Sequence, residues 1–253
     1  MNETEIKQKR IEEAAKRSGQ SWEVIRTRFL EPQEFLCAQQ AAFEYGVSVL
    51  LYGGYDDAER KIAAFYPDGM QAEPDEMLTR IELTWNEKYA ALSHRDVLGA
   101  AMALGIEREC LGDILIDKGK AYLFTVNEIA EWITRELVSC GRASVTRRIG
   151  SGSFEPPAPE GEIKRITVSS ERLDAIIAHT LNISRTKASD LVQSGSVKRK
   201  YVEETRPDIR IEAGDVISIR GYGRIRLISW DEETKKGRLA AHVFIYANTK
   251  KGT

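Results

Sequence analysis

The sequence predicts an α+β protein built in parts, and three observations carry that prediction. Apolar residues recur at helical spacing in some stretches and alternate as in strands in others. A glycine-, serine- and proline-rich stretch, residues 150–161 (GSGSFEPPAPEG), cannot build a core and reads as a linker. Charge divides unevenly about it. Residues 163–253 hold 18 Lys and Arg against 11 Asp and Glu, a balance of +7, while the remainder balances at −9 under a total of −2.

The composition, 42% hydrophobic and 30% charged over 253 residues, leaves room for two or three small soluble domains. No apolar run approaches a membrane span. The opening MNETEIKQKRIEEAAKR has no apolar segment of the signal-peptide kind. The three cysteines, Cys37, Cys110 and Cys140, are isolated and odd in number, which suggests a reducing compartment, the cytoplasm, and no metal or disulfide framework. Clustered Lys and Arg displace counterions from phosphates, so the basic end suits nucleic acid. Charge alone fits two solvated faces of opposite sign equally well.

Taken in order, residues 1–45 read as helical. Ile6, Ile11, Ala14 and Ala15 are periodic, Ser21-Trp22-Glu23-Val24-Ile25-Arg26 opens a second run, and Pro32 starts a third. Strands are expected at 47–52 and 61–66, the second closed by Pro67-Asp68-Gly69. Residues 1–79 thus form an N-terminal α/β region. From Arg80 the order becomes β-α-β-β-α-β: a strand at 80–85, a helix opened by the capping box Ser93 to Asp96, strands at 112–117 and 121–125, a helix at 128–140 capped by Asn127 and closed by Gly141, and a strand within 142–149. That order is ferredoxin-like (RRM-like) and defines a domain over 80–150. With 151–162 as linker, a third domain covers 163–253.

This last domain opens with two short helices. Leu173, Ile176, Ile177 and Leu181 mark the first, and Ala188, Leu191 and Val192 the second. Ser184 is placed to cap the second helix and Gly195 to end it. Their polar side carries Arg172, Arg185 and Lys187, followed by Lys198, Arg199 and Lys200. Strand-like runs follow at 197–202, 216–220, 224–229 and 238–246. The tail NTKKGT reads as polar and frayed.

Arg172-Leu173-Asp174, Ser184-Arg185-x-x-Ala188, Gly195-x-Val197 and Gly214-Asp215 resemble the αL RNA-binding motif, the S-four domain. Gly53-Gly54-Tyr55, Ala58-Glu59-Arg60, residues 93–99 (SHRDVLG), Gly105-Ile106-Glu107-Arg108, Leu111-Gly112-Asp113-Ile114 and Gly221-Tyr222-Gly223-Arg224 are similar to the YlmH family of bacterial proteins, across nearly the whole chain. The resemblance implies an RNA-binding protein associated with rRNA and tRNA on the large ribosomal subunit, in ribosome-associated quality control, with genes near cell-division genes. No catalytic or cofactor site stands out among the residues, so we expect no enzyme activity and no cofactor, and we expect a monomer. Carried over by position, Arg172, Ser184, Arg185, Thr186 and Lys187 match the RNA-facing helix surface, and Lys198, Arg199 and Lys200 the segment after it. S-four domains often have asparagine where this chain has Lys200.

Other residues admit two readings each. Arg224 and Arg226 can line the same surface or guard a strand edge. Lys235, Lys236 and Arg238 can extend the footprint or form a charged turn. Tyr222 can stack on a base or merely occupy a turn. His94-Arg95-Asp96 resembles a kinase triplet but lacks the accompanying motifs, and the capping box explains it. Arg172-Leu173-Asp174 resembles the nucleophile motif of pseudouridine synthases, yet Asp174 fits better as an acid that orients nearby cations. His179 and His242 lie apart from each other and from the cysteines, against a metal site. The rival functional classes are an interaction protein of the division machinery, docking through the acidic half, and an RNA-modifying enzyme.

Overall fold

Alanine sets the spacing in the first helices. In a computed structural model describing residues 3–231 and 238–247, helix α1 (Glu3–Ser21) buries Ile11, Ala14, Ala15 and Ser18, one face at helical spacing. Strand β1 (Ile25–Leu30) follows, then a 3-10 turn at Pro32–Glu34 and helix α2 (Phe35–Glu44), which buries Ala38, Ala41 and Ala42. These small side chains let both helices approach β3 (Lys61–Tyr66), the centre of an antiparallel sheet β1-β3-β2, with β2 at Ser48–Tyr52. The helix expected from Ser21 is instead β1. Trp22, at φ +57°, breaks the helical path, and only Phe29 and Leu30 of the strand are buried.

The next elements are β4 (Thr79–Thr84), α3 (His94–Ala103), β5 (Leu111–Asp117), β6 (Lys120–Thr125), α4 (Asn127–Glu136), the two-residue strands β7 (Ser139–Cys140) and β8 (Ala143–Ser144), and β9 (Thr146–Ile149). Four of them form an antiparallel sheet in the order β5-β6-β4-β9, the ferredoxin-like arrangement expected. The capping box is present: the Ser93 amide donates to Asp96 at 2.8 Å. Two details differ. Asn127 does not cap α4; its side chain accepts from Thr79 Oγ1 and donates to the Glu76 carbonyl, holding the start of β4, and Val126 is the cap residue. Helix α4 also ends at Glu136, short of Cys140, because Leu137 turns away and Gly141 (φ +52°) closes the β7–β8 hairpin. Phe29, Ile62 and Ala64 from the first sheet lie in the same core as Leu83, Leu111, Leu123 and Ile133, so residues 1–79 and 80–150 share one interior.

The chain divides into two compact units, residues 1–157 and 158–253. The first half of the expected linker is not a loose tether. Phe154 folds back onto the outer side of β6, 4.9 Å from the ring of Tyr122 and 5.5 Å from that of Phe124, and the Arg80 guanidinium lies 4.7 Å over it. Arg80 also donates to the Ser151 carbonyl at 3.1 Å, and the Gly150 amide to the Arg80 carbonyl.

In the second unit β10 (Gly161–Val168) begins two residues inside the expected linker, paired with β15 (Leu239–Tyr246). Helices α5 (Leu173–Leu181) and α6 (Arg185–Gln193) follow, then β11 (Val197–Arg199), β12 (Val202–Glu203), β13 (Val216–Ile219) and β14 (Gly223–Trp230). The antiparallel sheet runs β10-β15-β14-β13-β11-β12. Its inner face, with Ile166, Val197, Ile217, Ile225 and Val243, packs on α5 and on Ala188 and Val192 of α6. Almost every residue of α5 is buried, as an all-round apolar helix should be. Lys235, Lys236 and the tail NTKKGT lie outside the described residues.

Candidate nucleic-acid interface

Two buried carboxylates organise the cations of the second unit. Asp174, in the first turn of α5, is 3% exposed. Arg172 Nη2 donates to it at 2.9 Å and Nε at 3.1 Å, and Arg185 reaches it from the start of α6 at 3.3 and 3.4 Å. Burial pushes the Asp174 carboxyl up; the hydrogen bonds from Arg172 and Arg185 outweigh that and hold it below its ordinary value. Both guanidiniums stay about half in solvent, so Asp174 fixes their bases while leaving their outer edges open. The Leu173 and Asp174 amides donate to the carbonyls of Ile209 and Pro207, which seats the helix start against the segment before β13.

Asp215 plays the same part for the hairpin. It is fully buried and accepts from Arg199 Nε at 2.7 Å and the Glu212 amide at 2.9 Å, with Lys200 Nζ at 2.9 Å. Burial again raises the carboxyl, and the Glu212 amide, Lys200 and Arg199 together bring it below its ordinary value. Arg199 pairs with Val202 in the β11–β12 register, so Lys200 and Tyr201 form a two-residue turn, both at positive φ (+47° and +70°). Such turns favour Asn-Gly. The asparagine that the S-four resemblance leads one to expect at this position would suit that backbone, whereas Lys200 occupies it at φ +47°.

Two further candidate cations, Lys187 and Arg224, lie over aromatic rings. Ser184 caps α6 by accepting from the Lys187 amide at 3.1 Å, and the exposed first turn presents Arg185, Thr186 and Lys187. Lys187 Nζ stands 5.8 Å over Tyr222, in the turn between β13 and β14. Two residues on, Arg224 lies 5.5 Å over Tyr201 and 5.8 Å over Tyr246. Lys198 is exposed on the outer side of the sheet, opposite Ser218. The structure therefore brings Arg172 with Arg185 and Arg199 with Lys200, sets Lys187 over Tyr222, and puts Arg224 between Tyr201 and Tyr246. Sequence reasoning missed Asp215 as the anchor of Arg199 and Lys200, and it missed Tyr201 and Tyr246. Only the Gly214-Asp215 match hinted at the first.

The quoted motifs of the first unit meet as well. Asp113 accepts from the Tyr55 hydroxyl at 2.7 Å and from the Glu59 and Arg60 amides at 2.6 and 3.1 Å. Arg60, nearly buried, donates to the carbonyls of Leu111 and Phe29 and pairs with Glu31. These bonds fasten the 53–60 loop to β5. Among the described residues, no group of three or more His, Cys, Asp or Glu side chains gathers to hold a metal ion, and no helix is long and apolar enough to cross a membrane.

Residues 72–149 match the family profile described as "Putative RNA-binding domain in YlmH". The chain is 33% identical over 214 residues to the ribosome-associated protein quality control protein P2 of Bacillus subtilis (strain 168), spanning 84% of this chain and 83% of that protein. Among solved structures it is similar to the cell division protein YlmH from Streptococcus pneumoniae, with a TM-score of 0.51 and 25% identity over 60% of this chain and 93% of the other. Identity of 33% across 84% of this chain and 83% of the B. subtilis protein, with the YlmH profile over residues 72–149, places the chain: it belongs to the YlmH family.

Proposed function

We propose that this protein binds structured RNA through the α5–α6 face and the β11–β12 turn, and that its target is rRNA together with tRNA on the large ribosomal subunit. The carrying observation is the pair of buried carboxylates, Asp174 and Asp215, that hold Arg172, Arg185, Arg199 and Lys200 in fixed positions at the surface. Cations held this way meet phosphates without first losing side-chain freedom, which a merely solvated face would not provide. The +7 balance of this part of the chain and the ribosome-associated quality control name of the B. subtilis relative support the same reading. We assign the protein a binding role in the cytoplasm, with no catalytic step of its own.

Arg185 is a poor choice for charge reversal, since Glu there would face the buried Asp174. Lys187 lies outside both carboxylate clusters and is the better test. With about five cations on phosphates, log K falls against log[salt] with a slope of roughly −4, and Lys187→Ala should reduce its magnitude by about 0.8. Gel shifts on a ribosomal RNA fragment across a salt series, with circular dichroism confirming the fold, read this directly. An unchanged slope in the variant sinks the assignment.

A further inference from the structure

The outer face of the six-stranded sheet, turned away from α5 and α6, carries a second pattern. Cross-strand register sets Lys198 beside Ser218, Ser218 beside Arg224, and Gly161 beside Tyr246. One row further along, Val216 lies beside Arg226, Arg226 beside Phe244, and Phe244 beside Ile163. Arg224 stands between two rings, 5.5 Å over Tyr201 and 5.8 Å over Tyr246, and Tyr246 meets Phe244 edge-on at 4.9 Å. The Phe244 ring lies over the backbone of Gly161, where a Cβ would come within 2.6 Å of it. Ile163, next along, is 66% exposed. This is an aromatic and apolar strip interleaved with cations on a rigid, antiparallel surface.

We propose that this strip is a binding site for unpaired RNA, in which bases stack on Tyr246 and Phe244 while phosphates run along Lys198 and Arg226. Charge complementarity selects the occupant. At the Tyr246 end the face presents Lys198, Arg224 and Arg226, with Glu203 at the β12 edge as the facing acid in register with Lys198. Asp231, at the opposite end, is neutralised by Arg165 at 2.9 Å and approached by His242 at 3.4 Å. A cationic strip with exposed ring edges fits a single-stranded polyanion whose bases offer π faces. A duplex has its bases already stacked and could use only the cations. The proposal rests on the RNA-binding reading above and adds to it a distinct face and a distinct feature of the RNA, a single-stranded flank beside the structured element that the helix pair holds.

The test uses the full-length protein and two fluorescent RNAs: a blunt hairpin, and the same hairpin with a short unpaired 3′ extension, compared by anisotropy at one salt concentration. The extension should raise wild-type affinity by about tenfold, the effect of one or two stacked bases. Tyr246→Ala should lose that gain and keep the blunt-hairpin affinity. Because alanine could also loosen the β15 end, Tyr246→Leu is measured alongside; it keeps the apolar bulk and should lose most of the gain too. Photocrosslinking a 4-thiouridine-substituted extension should map to β15. An extension that adds nothing to wild-type binding, or a gain kept by both variants, overturns the proposal. A wild-type protein that ignores the blunt hairpin but takes the extended one supports this site and defeats the helix-pair reading, whereas failure to bind either RNA defeats both.

Discussion

Asp215 joins residues that sequence separates. Arg199 and Lys200 precede it by a strand, a turn and the whole 202–215 segment, and nothing in their spacing reveals that they converge on one carboxylate. Asp174 was easier to interpret, because Arg172 is two residues away and the helix start puts both on one side. The pKa directions turn this difference in legibility into a measurement. Both carboxyls are held below the ordinary Asp value of 3.8, against the upward push of burial. A group depressed in the native state contributes stability that is complete above its unfolded pKa and is lost as pH falls through the lower native one. The second unit should therefore weaken progressively below pH 3.8. Asp215→Asn should be less stable at neutral pH and show a flatter decline in acid. Urea midpoints over a pH series from neutral into the acid range decide it; an Asn variant with the wild-type slope counts against the ion cluster.

Whole elements were legible where punctuation was chemical and obscure where it was conformational. Helices α5 and α6 could be placed from Ser184 and Gly195, since a hydroxyl cap and a positive-φ glycine (+70°) leave residue signatures. Strand β1 could not, because α1 is ended by a tryptophan in the left-handed region, a position at which sequence ordinarily gives no warning. The Asn127 capping expectation failed for a related reason: its amide found better partners across the fold, in Thr79 and Glu76. Glycines in loops gave more than expected. Gly54, at φ +99°, leaves no space for a Cβ, which would sit 2.3 Å from the Phe124 ring. Gly54→Ala should destabilise the first unit by about 3 kcal/mol, combining backbone strain with a displaced core ring. Thermal unfolding checks this, and a shift of under about 2 °C would show that the loop relaxes easily.

At the scale of the molecule, charge asymmetry and the proline-rich break were both visible in the sequence and both map onto the division into two compact units. What composition concealed was Phe154, one aromatic residue among glycine, serine and proline, which converts half of an expected tether into part of the first unit. Removing it should be measurable. Phe154→Ala should lower the stability of the first unit by about 2 kcal/mol, less than for a fully enclosed phenylalanine because its site is half-buried. Limited proteolysis should then cut the variant within 150–157 faster than the wild type. Equal cutting rates would mean that Arg80 and Gly150 secure the strand end unaided.

The same phenylalanine bears on how the protein can be divided for study or expression. The family match ends at residue 149, an inviting place to truncate. A fragment stopped there would lose the ring that covers Tyr55, Tyr122 and Phe124 and would offer that aromatic surface to its neighbours. Its strand β9 lies at the sheet edge, with Ile149 already 48% exposed. An uncapped edge beside a bare aromatic patch is a recipe for self-association. A fragment extended to Pro157 carries its own lid and should stay dispersed.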